Sequence, residues 1–303
     1  MSPRLSAGLL TGILLAACQS APPRPPAAEL AVRSHNQATA ALARDDFEHA
    51  ASGFRDAMRQ ATLLDDWQGE ASSRLALAMT LRRQGQPAPA TQTLRPLLSD
   101  MTLPYGNAQR RRAALLQAQW QLAEGAWDSL PASLALAANW CGDCRDSTLS
   151  RLRAQLALHQ GELDTAWREA GEALRQAASD DERAEALRAQ ANVAIAGPAA
   201  GRLIQGRAAA TAALDIDKRL GNSVGIFQDL LLRAWTAHLA ADSDAATWLR
   251  RACEVAQASA QPALRQQLKQ LPEEIWHVTP QANGAAGTVS PAAAPGPGDC
   301  RQP

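Results

Sequence analysis

Aromatic side chains are scarce in this chain. One tyrosine, three phenylalanines and eight tryptophans make up 4% of 303 residues. Alanine supplies much of the 46% apolar content, and it is the best helix former and a poor strand former. Together these exclude an all-β sandwich or barrel. Neither sign of charge is in excess: thirty Lys and Arg balance thirty Asp and Glu. A nucleic-acid protein needs a basic surplus to displace counterions, and a disordered acidic chain needs the opposite, so both classes fall away. No phosphate loop, nucleophile elbow or dinucleotide fingerprint occurs. His35, His49, His159, His238 and His277 are scattered and form no metal motif. The expectation is a non-catalytic, helical protein with no cofactor.

An address is written at the amino terminus. Arg4 precedes an apolar stretch from Leu5 to Ala17 that is shorter than the ~20 residues of a membrane span but has the length of a secretory signal. It ends Leu15-Ala16-Ala17-Cys18. This resembles the lipobox of bacterial lipoproteins. The resemblance implies cleavage before Cys18, diacylglycerol on its thiol and an acylated new terminus. At ~0.8 kcal/mol per buried methylene, two or three acyl chains hold a protein on a membrane permanently. Gln19, rather than aspartate, follows the cysteine, which by the same resemblance favours the outer membrane with the body facing the periplasm. Ser20-Ala21-Pro22-Pro23-Arg24-Pro25-Pro26 reads as an extended spacer. No later segment is apolar enough to span a bilayer. The expected layout is a signal peptide over 1–17, a spacer over 18–29, a helical domain over 30–278 and a disordered Ala/Pro/Gly-rich tail over 279–303.

Within 30–278 one pattern recurs. Asp45-Asp46-Phe47 opens a stripe through Ala50, Phe54 and Ala57. Gly85 opens one through Ala90, Leu94 and Leu97; Gly125 one through Trp127, Leu130, Leu134 and Ala137; Gly161 one through Leu163, Ala166, Ala170 and Ala173. Before each turn lies another helix with small residues, Ala38 and Ala41, Ala78, Ala118, or Ala154 and Ala157. The turn markers stand 40, 40 and 36 residues apart. This resembles the tetratricopeptide repeat, whose plain form is ~34 residues long. The resemblance implies an all-α, right-handed superhelical solenoid of about six helical hairpins. A fifth pair is expected near Asp181–Ala196 and Ala200–Leu220, with Ser179 and Glu182 as a capping box. A sixth is expected near Ser223–Leu239 and Ser243–Ala258. Pro96 should kink or end its helix, and Ser129 should cap the helix that Pro131 delays. The pairs Asp45-Asp46, Asp65-Asp66 and Asp180-Asp181 fall at helix starts, where they cap rather than catalyse.

Cys141-Gly142-Asp143-Cys144 has the spacing of a thioredoxin tetrad, but no βαβ pattern surrounds it. In an oxidising envelope Cys141 and Cys144 are candidates for a short-range disulfide, with thiol exchange as the alternative. Cys253 is expected as a buried small residue, and Cys300 lies in the tail. The tryptophans are read as packing between repeats, with a glycan platform as the alternative.

In tetratricopeptide proteins the first helices line a concave groove that binds partner segments. By that resemblance the groove positions are Leu75, Met79, Arg82 and Arg83, then Arg112, Leu115 and Gln119, then Arg151, Gln155 and His159. Arginine recurs there, and its fork suits carboxylates, so an acidic protein segment is a fitting guest. In architecture the chain resembles repeat lipoproteins that serve as envelope scaffolds. The expected role is a membrane-anchored adaptor for envelope proteins, with no nucleic acid involved.

Overall fold

A computed structural model describes residues 26–142, 145–259 and 261–271. Thirteen helices and no strand occur among them. The chain divides at residue 90 into two compact units. The first holds α1 (Pro26–Leu42), α2 (Phe47–Leu63), α3 (Trp67–Arg83) and the first residues of α4 (Pro87–Ser99). The second holds the rest of α4, α5 (Asn107–Ala123), α6 (Leu130–Cys141), α7 (Ser147–His159), α8 (Leu163–Gln176) and α9 (Asp180–Ala196). It continues with α10 (Ala200–Leu220), α11 (Ser223–Leu239), α12 (Ala245–Ala258) and α13 (Pro262–Lys269). The first helix begins at Pro26, four residues inside the stretch read as a spacer, because proline suits the first turn of a helix and alanines and Glu29 follow it. Cys18 and the tail lie outside the described residues.

One turn recurs through both units. Asp45, Asp65, Gly85, Gly125, Gly161, Gly221 and Ala241 all adopt left-handed backbone, with φ between 54° and 78°. In each case the next residue donates its N–H to the carbonyl five positions back: Asp46 to Ala41 at 3.0 Å, Gln86 to Leu81 at 2.9 Å, Glu162 to Ala157 at 2.8 Å. This closure satisfies a terminal carbonyl and reverses the chain within three residues. At Asp46 and Asp66 the same residue then caps the next helix, accepting from the N–H of His49 and of Gly69. In Asp45-Asp46 and Asp65-Asp66 the first residue takes the left-handed conformation, which aspartate tolerates, and the second caps; Asp180-Asp181 instead lie in the first turn of α9, which Ser179 caps. Seventeen-residue helices joined by such turns (α2 to α3, for one) explain a repeat longer than the plain one.

Small side chains set the packing. Ala38, Ala50, Ala78, Ala118, Ala154, Ala166 and Ala170 are all buried. In the first unit α1 packs on α2, α2 on α3, and α1 on α3. In the second, α5 pairs with α6, α7 with α8, α9 with α10, and α11 with α12. First helices also touch one another in series, α5 to α7, α7 to α9 and α9 to α11, while α6, α8 and α10 pack on the first helix of the following pair. In the second unit the hairpins from α5 to α10 thus lean on the next through both helices, the arrangement of a helical-repeat solenoid. Leu130, Leu134 and Leu152 fill the seam around α5 to α7, and Leu214, Phe227, Leu230 and Leu249 fill the last one. The short α13 adds Leu264 and Leu268 to that last core.

Pro96 and Ser129 behave differently from expectation. Helix α4 does not stop at Pro96; it runs on to Ser99. The carbonyl that Pro96 deprives of a helical donor belongs to Gln92, an exposed position where the loss costs least. Ser129 occupies the N-cap position of α6 but makes no side-chain capping bond; its hydroxyl donates to the Ala126 carbonyl at 3.0 Å. The Ser179 cap forms as expected, accepting from Glu182 N–H, while the Glu182 carboxylate accepts from Ala178 N–H at 2.7 Å.

A buried arginine holds the segment that follows α4. Arg110 is 4% exposed and donates to four carbonyls: Leu97 at 3.0 Å, Asp100 at 2.8 Å, Leu103 at 2.7 Å and Tyr105 at 3.2 Å. It meets the negative end of α4 and ties the loop to α5. Arg110→Met should cost about 3 kcal/mol, since two buried and two half-buried carbonyls lose their donor at once. Arg110→Lys should recover only part of that, because an ammonium lacks the planar fork. Urea unfolding of the three proteins measures both.

Candidate functional site

The ten expected groove residues have different fates. Leu75 and Leu115 are core residues at 4% and 8% exposure. Met79 and Arg82 are half-buried and Arg83 is exposed, all on α3 of the first unit. On α5, Arg112 is exposed and Gln119 half-buried. His159, at the end of α7, stacks flat on Trp127, with ring centroids 3.8 Å apart and planes 6° from parallel. Arg151 and Gln155 face a common space.

That space is a cavity of about 440 Å³ between α7, α9 and α11. Helix α7 gives Arg151 and Gln155, four residues apart. Helix α9 gives Glu185, Arg188, Ala189 and Asn192, and helix α11 gives Gln228, Leu231, Leu232 and Trp235. On both α9 and α11 the residues fall at steps of three, four and seven from the first, which is one face of a helix. Three successive first helices thus turn the same face to one groove.

Ion pairs fix its walls. Arg151 meets Glu185 at 2.8 Å across α7 and α9. Arg188 is bonded to Asp217 of α10 and lies 3.5 Å from Asp229 of α11. Both aspartates are wholly buried. Asp217 also accepts from the Asn222 amide at 2.9 Å. Gly225 leaves the room for this, since a Cβ there would collide with the Asp217 carboxyl. One oxygen of Asp229 has no partner, and its pKa is pushed up to about 8. Burial is the main cause and the neighbouring Asp217 adds to it, while Arg188 pulls the other way. At neutral pH Asp229 therefore keeps its proton.

Sequence reasoning placed Arg151 and Gln155 but missed Glu185, Arg188, Asn192, Gln228 and Trp235. The fifth pair carries no aromatic at its Gly197-Pro198 break, so its sequence does not mark which face lies toward a groove. A sharper signal was available: Asp229 stands beside Phe227 and Leu230 in an apolar helix, where an acid must have a partner.

In the first unit a second cavity of about 360 Å³ lies among α1, α2 and α3, with His35 on its wall. Burial lowers the His35 pKa, and its Nδ1 is 3.2 Å from the Ser73 hydroxyl. Among the described residues no cluster of three His, Cys, Asp or Glu is placed to hold a metal.

The two cysteines among the described residues are both committed. Cys141 is disulfide-bonded, at the end of α6 beside Arg111; Cys144 lies outside the described residues. Cys253 is buried, as its helical spacing requires, but it too is disulfide-bonded. That corrects its reading as a simple small apolar residue, since spacing reports burial and not a covalent partner. Among the tryptophans, Trp248 has the Arg233 guanidinium 3.6 Å from its ring centre, and Arg251 lies at 5.4 Å. Trp235 is the one that borders the groove cavity.

The Asp229 carboxyl gives a pH signature. Its folded pKa lies above the unfolded value near 3.8, so between roughly pH 4 and pH 8 the folded state holds the proton more tightly. This group's contribution to stability then falls as pH rises through that window and is constant above it. Asp229→Asn should remove that slope: near wild type in melting temperature at pH 5, above it at pH 8.5. A constant difference across the range would show that Asp229 holds no proton. The scan against known protein families finds no matching family model, and the search of curated proteins finds no match.

Proposed function

We propose that this chain is a lipid-anchored adaptor of the bacterial envelope, built on tetratricopeptide-type hairpins wound into a right-handed superhelix. It holds partner proteins without catalysing a reaction on them. The observation that carries this reading is the groove itself: α7, α9 and α11 repeat one face around a cavity walled by hydrogen-bonding side chains and a tryptophan. A surface rich in pre-fixed polar groups and poor in mobile ones favours binding a segment of another chain.

The anchor reading rests on Leu15-Ala16-Ala17-Cys18. No described helix is long and apolar enough to cross a membrane. Cys18 stands eight residues before Pro26, where α1 begins, so the tether reaches ~26 Å at ~3.3 Å per residue. That length keeps the body near the lipid surface, with Gln19 favouring the outer membrane and a periplasmic body.

Two measurements test the proposal. Crosslinking in intact cells, followed by capture of the full chain, should return a defined partner set. Asn192→Trp with Gln228→Arg fills the cavity from an exposed and a half-exposed position. It should lose that set while leaving helicity and melting temperature unchanged. An unchanged set would remove the groove from the account. Cys18→Ser should release the protein from the membrane fraction, and a mature first residue without acyl mass would remove the anchor.

A further inference from the structure

Charge balance around the groove deepens the adaptor reading, on which this inference rests. Arginine on a groove face invites an acidic guest only if its charge is unspent. Here Arg151 is paired with Glu185, and Arg188 with Asp217. Asp229, behind Arg188, keeps its proton at neutral pH and adds no charge. Arg151, Arg188 and Glu185 border the cavity, and Asp217 behind Arg188 supplies the second negative charge, so the cluster is balanced. A carboxylate entering this space would give up its water without a free cation to meet it.

What remains for a guest is neutral hydrogen bonding. Gln155 lines the cavity, and its Oε1 is buried with no partner within the chain. Asn192 and Gln228 present amides to the same space, and each can donate and accept. Arg188 is held from behind by two carboxyls and can donate forward to a carbonyl oxygen. Trp235 supplies a flat apolar wall at the far side. Amides that both donate and accept match the alternating N–H and C=O groups of an extended backbone.

We propose that the cavity between α7, α9 and α11 recognises a neutral, extended polypeptide segment, its main chain and polar side chains bonded by Gln155, Asn192, Gln228 and Arg188 and one apolar residue resting on Trp235. The guest is selected against acidic residues rather than for them.

The test uses the full mature chain and synthetic peptides in three series. A neutral parent is built from Asn, Gln, Ser, Thr and Pro around one central Leu; glutamates or lysines are then introduced into it. Fluorescence polarisation should find the neutral series bound. Each central Glu should weaken binding about threefold or more, and affinity should change little between about 50 and 300 mM salt. Gln155→Leu should weaken the parent about tenfold without lowering the melting temperature, and Trp235→Ala should weaken it as much while also lowering the melting temperature, because Trp235 packs on the last core. If the acidic series binds best, loses affinity with salt and fails on Arg151→Gln, the groove stands and its neutrality is overturned. If no peptide binds but a cell-wall oligosaccharide does, and Trp235→Ala abolishes that, the guest is a glycan and the segment proposal fails. If no probe binds and filling the cavity leaves the captured partners unchanged, the adaptor reading falls with it.

Discussion

Gly53 faces Ala38, and Gly206 faces Ala194, at separations where one added methyl group would collide. These crossings set how near two helix axes come, and the stack is built on that nearness. A buried alanine removes little area from water, at roughly 0.8 kcal/mol per methylene equivalent. The chain compensates by number, placing alanine at crossing after crossing, and by bringing backbones close enough that dispersion contacts accumulate. The same closeness makes the core intolerant: an extra methylene there forces shifts costing ~1–3 kcal/mol. Scarcity of aromatic residues is thus a requirement of the architecture.

A core of small, similar side chains has little intrinsic specificity, because one alanine face fits another in more than one register. The polar interior supplies the missing discrimination. Arg110 reaches carbonyls of Leu97, Asp100, Leu103 and Tyr105, so the helix that follows α4 has one place to dock. Arg188 joins α9 to α10 and α11 through Asp217 and Asp229. Buried ion pairs contribute little net stability, since desolvation offsets their attraction. Their value here is geometric: a hairpin shifted by one turn would leave an acid or a guanidinium unpaired, at a cost of several kcal/mol.

Much of the fold is legible in the sequence because the turn chemistry is local. Ala200–Leu220 and Ser223–Leu239 are observed with the bounds read from pattern alone, and the Ser179 cap is in place. Left-handed glycines and capping aspartates act on their nearest neighbours, so a single sequence reveals them. The groove was legible only in part. Periodicity separates the face of a helix from its back, but neighbouring positions differ by about 100° around the axis. Leu75 and Leu115 sit on the core side of that boundary and Arg151 on the groove side, and only the packing of adjacent helices decides which. Partners are less legible still. Arg188 finds Asp217 29 residues on and Asp229 41 residues on, distances at which no local rule operates. Nothing in the spacing of Cys253 announces a disulfide.

The groove and the buried pins are one construction. Arg188 belongs to both: its guanidinium closes the polar cluster behind α9 and borders the cavity in front. Loosening the cluster would let that side chain swing, and a binding surface made of long polar side chains loses affinity when each must be ordered by the guest, at about 0.5–1.5 kcal/mol per side chain. Holding Arg188 with Asp217 and Arg151 with Glu185 settles that ordering during folding. The protonated Asp229 completes the arrangement, because a second buried negative charge would draw Arg188 away from the groove. A solenoid whose core is mostly alanine can thereby present a rigid polar face, the rigidity coming from the charges beneath that face.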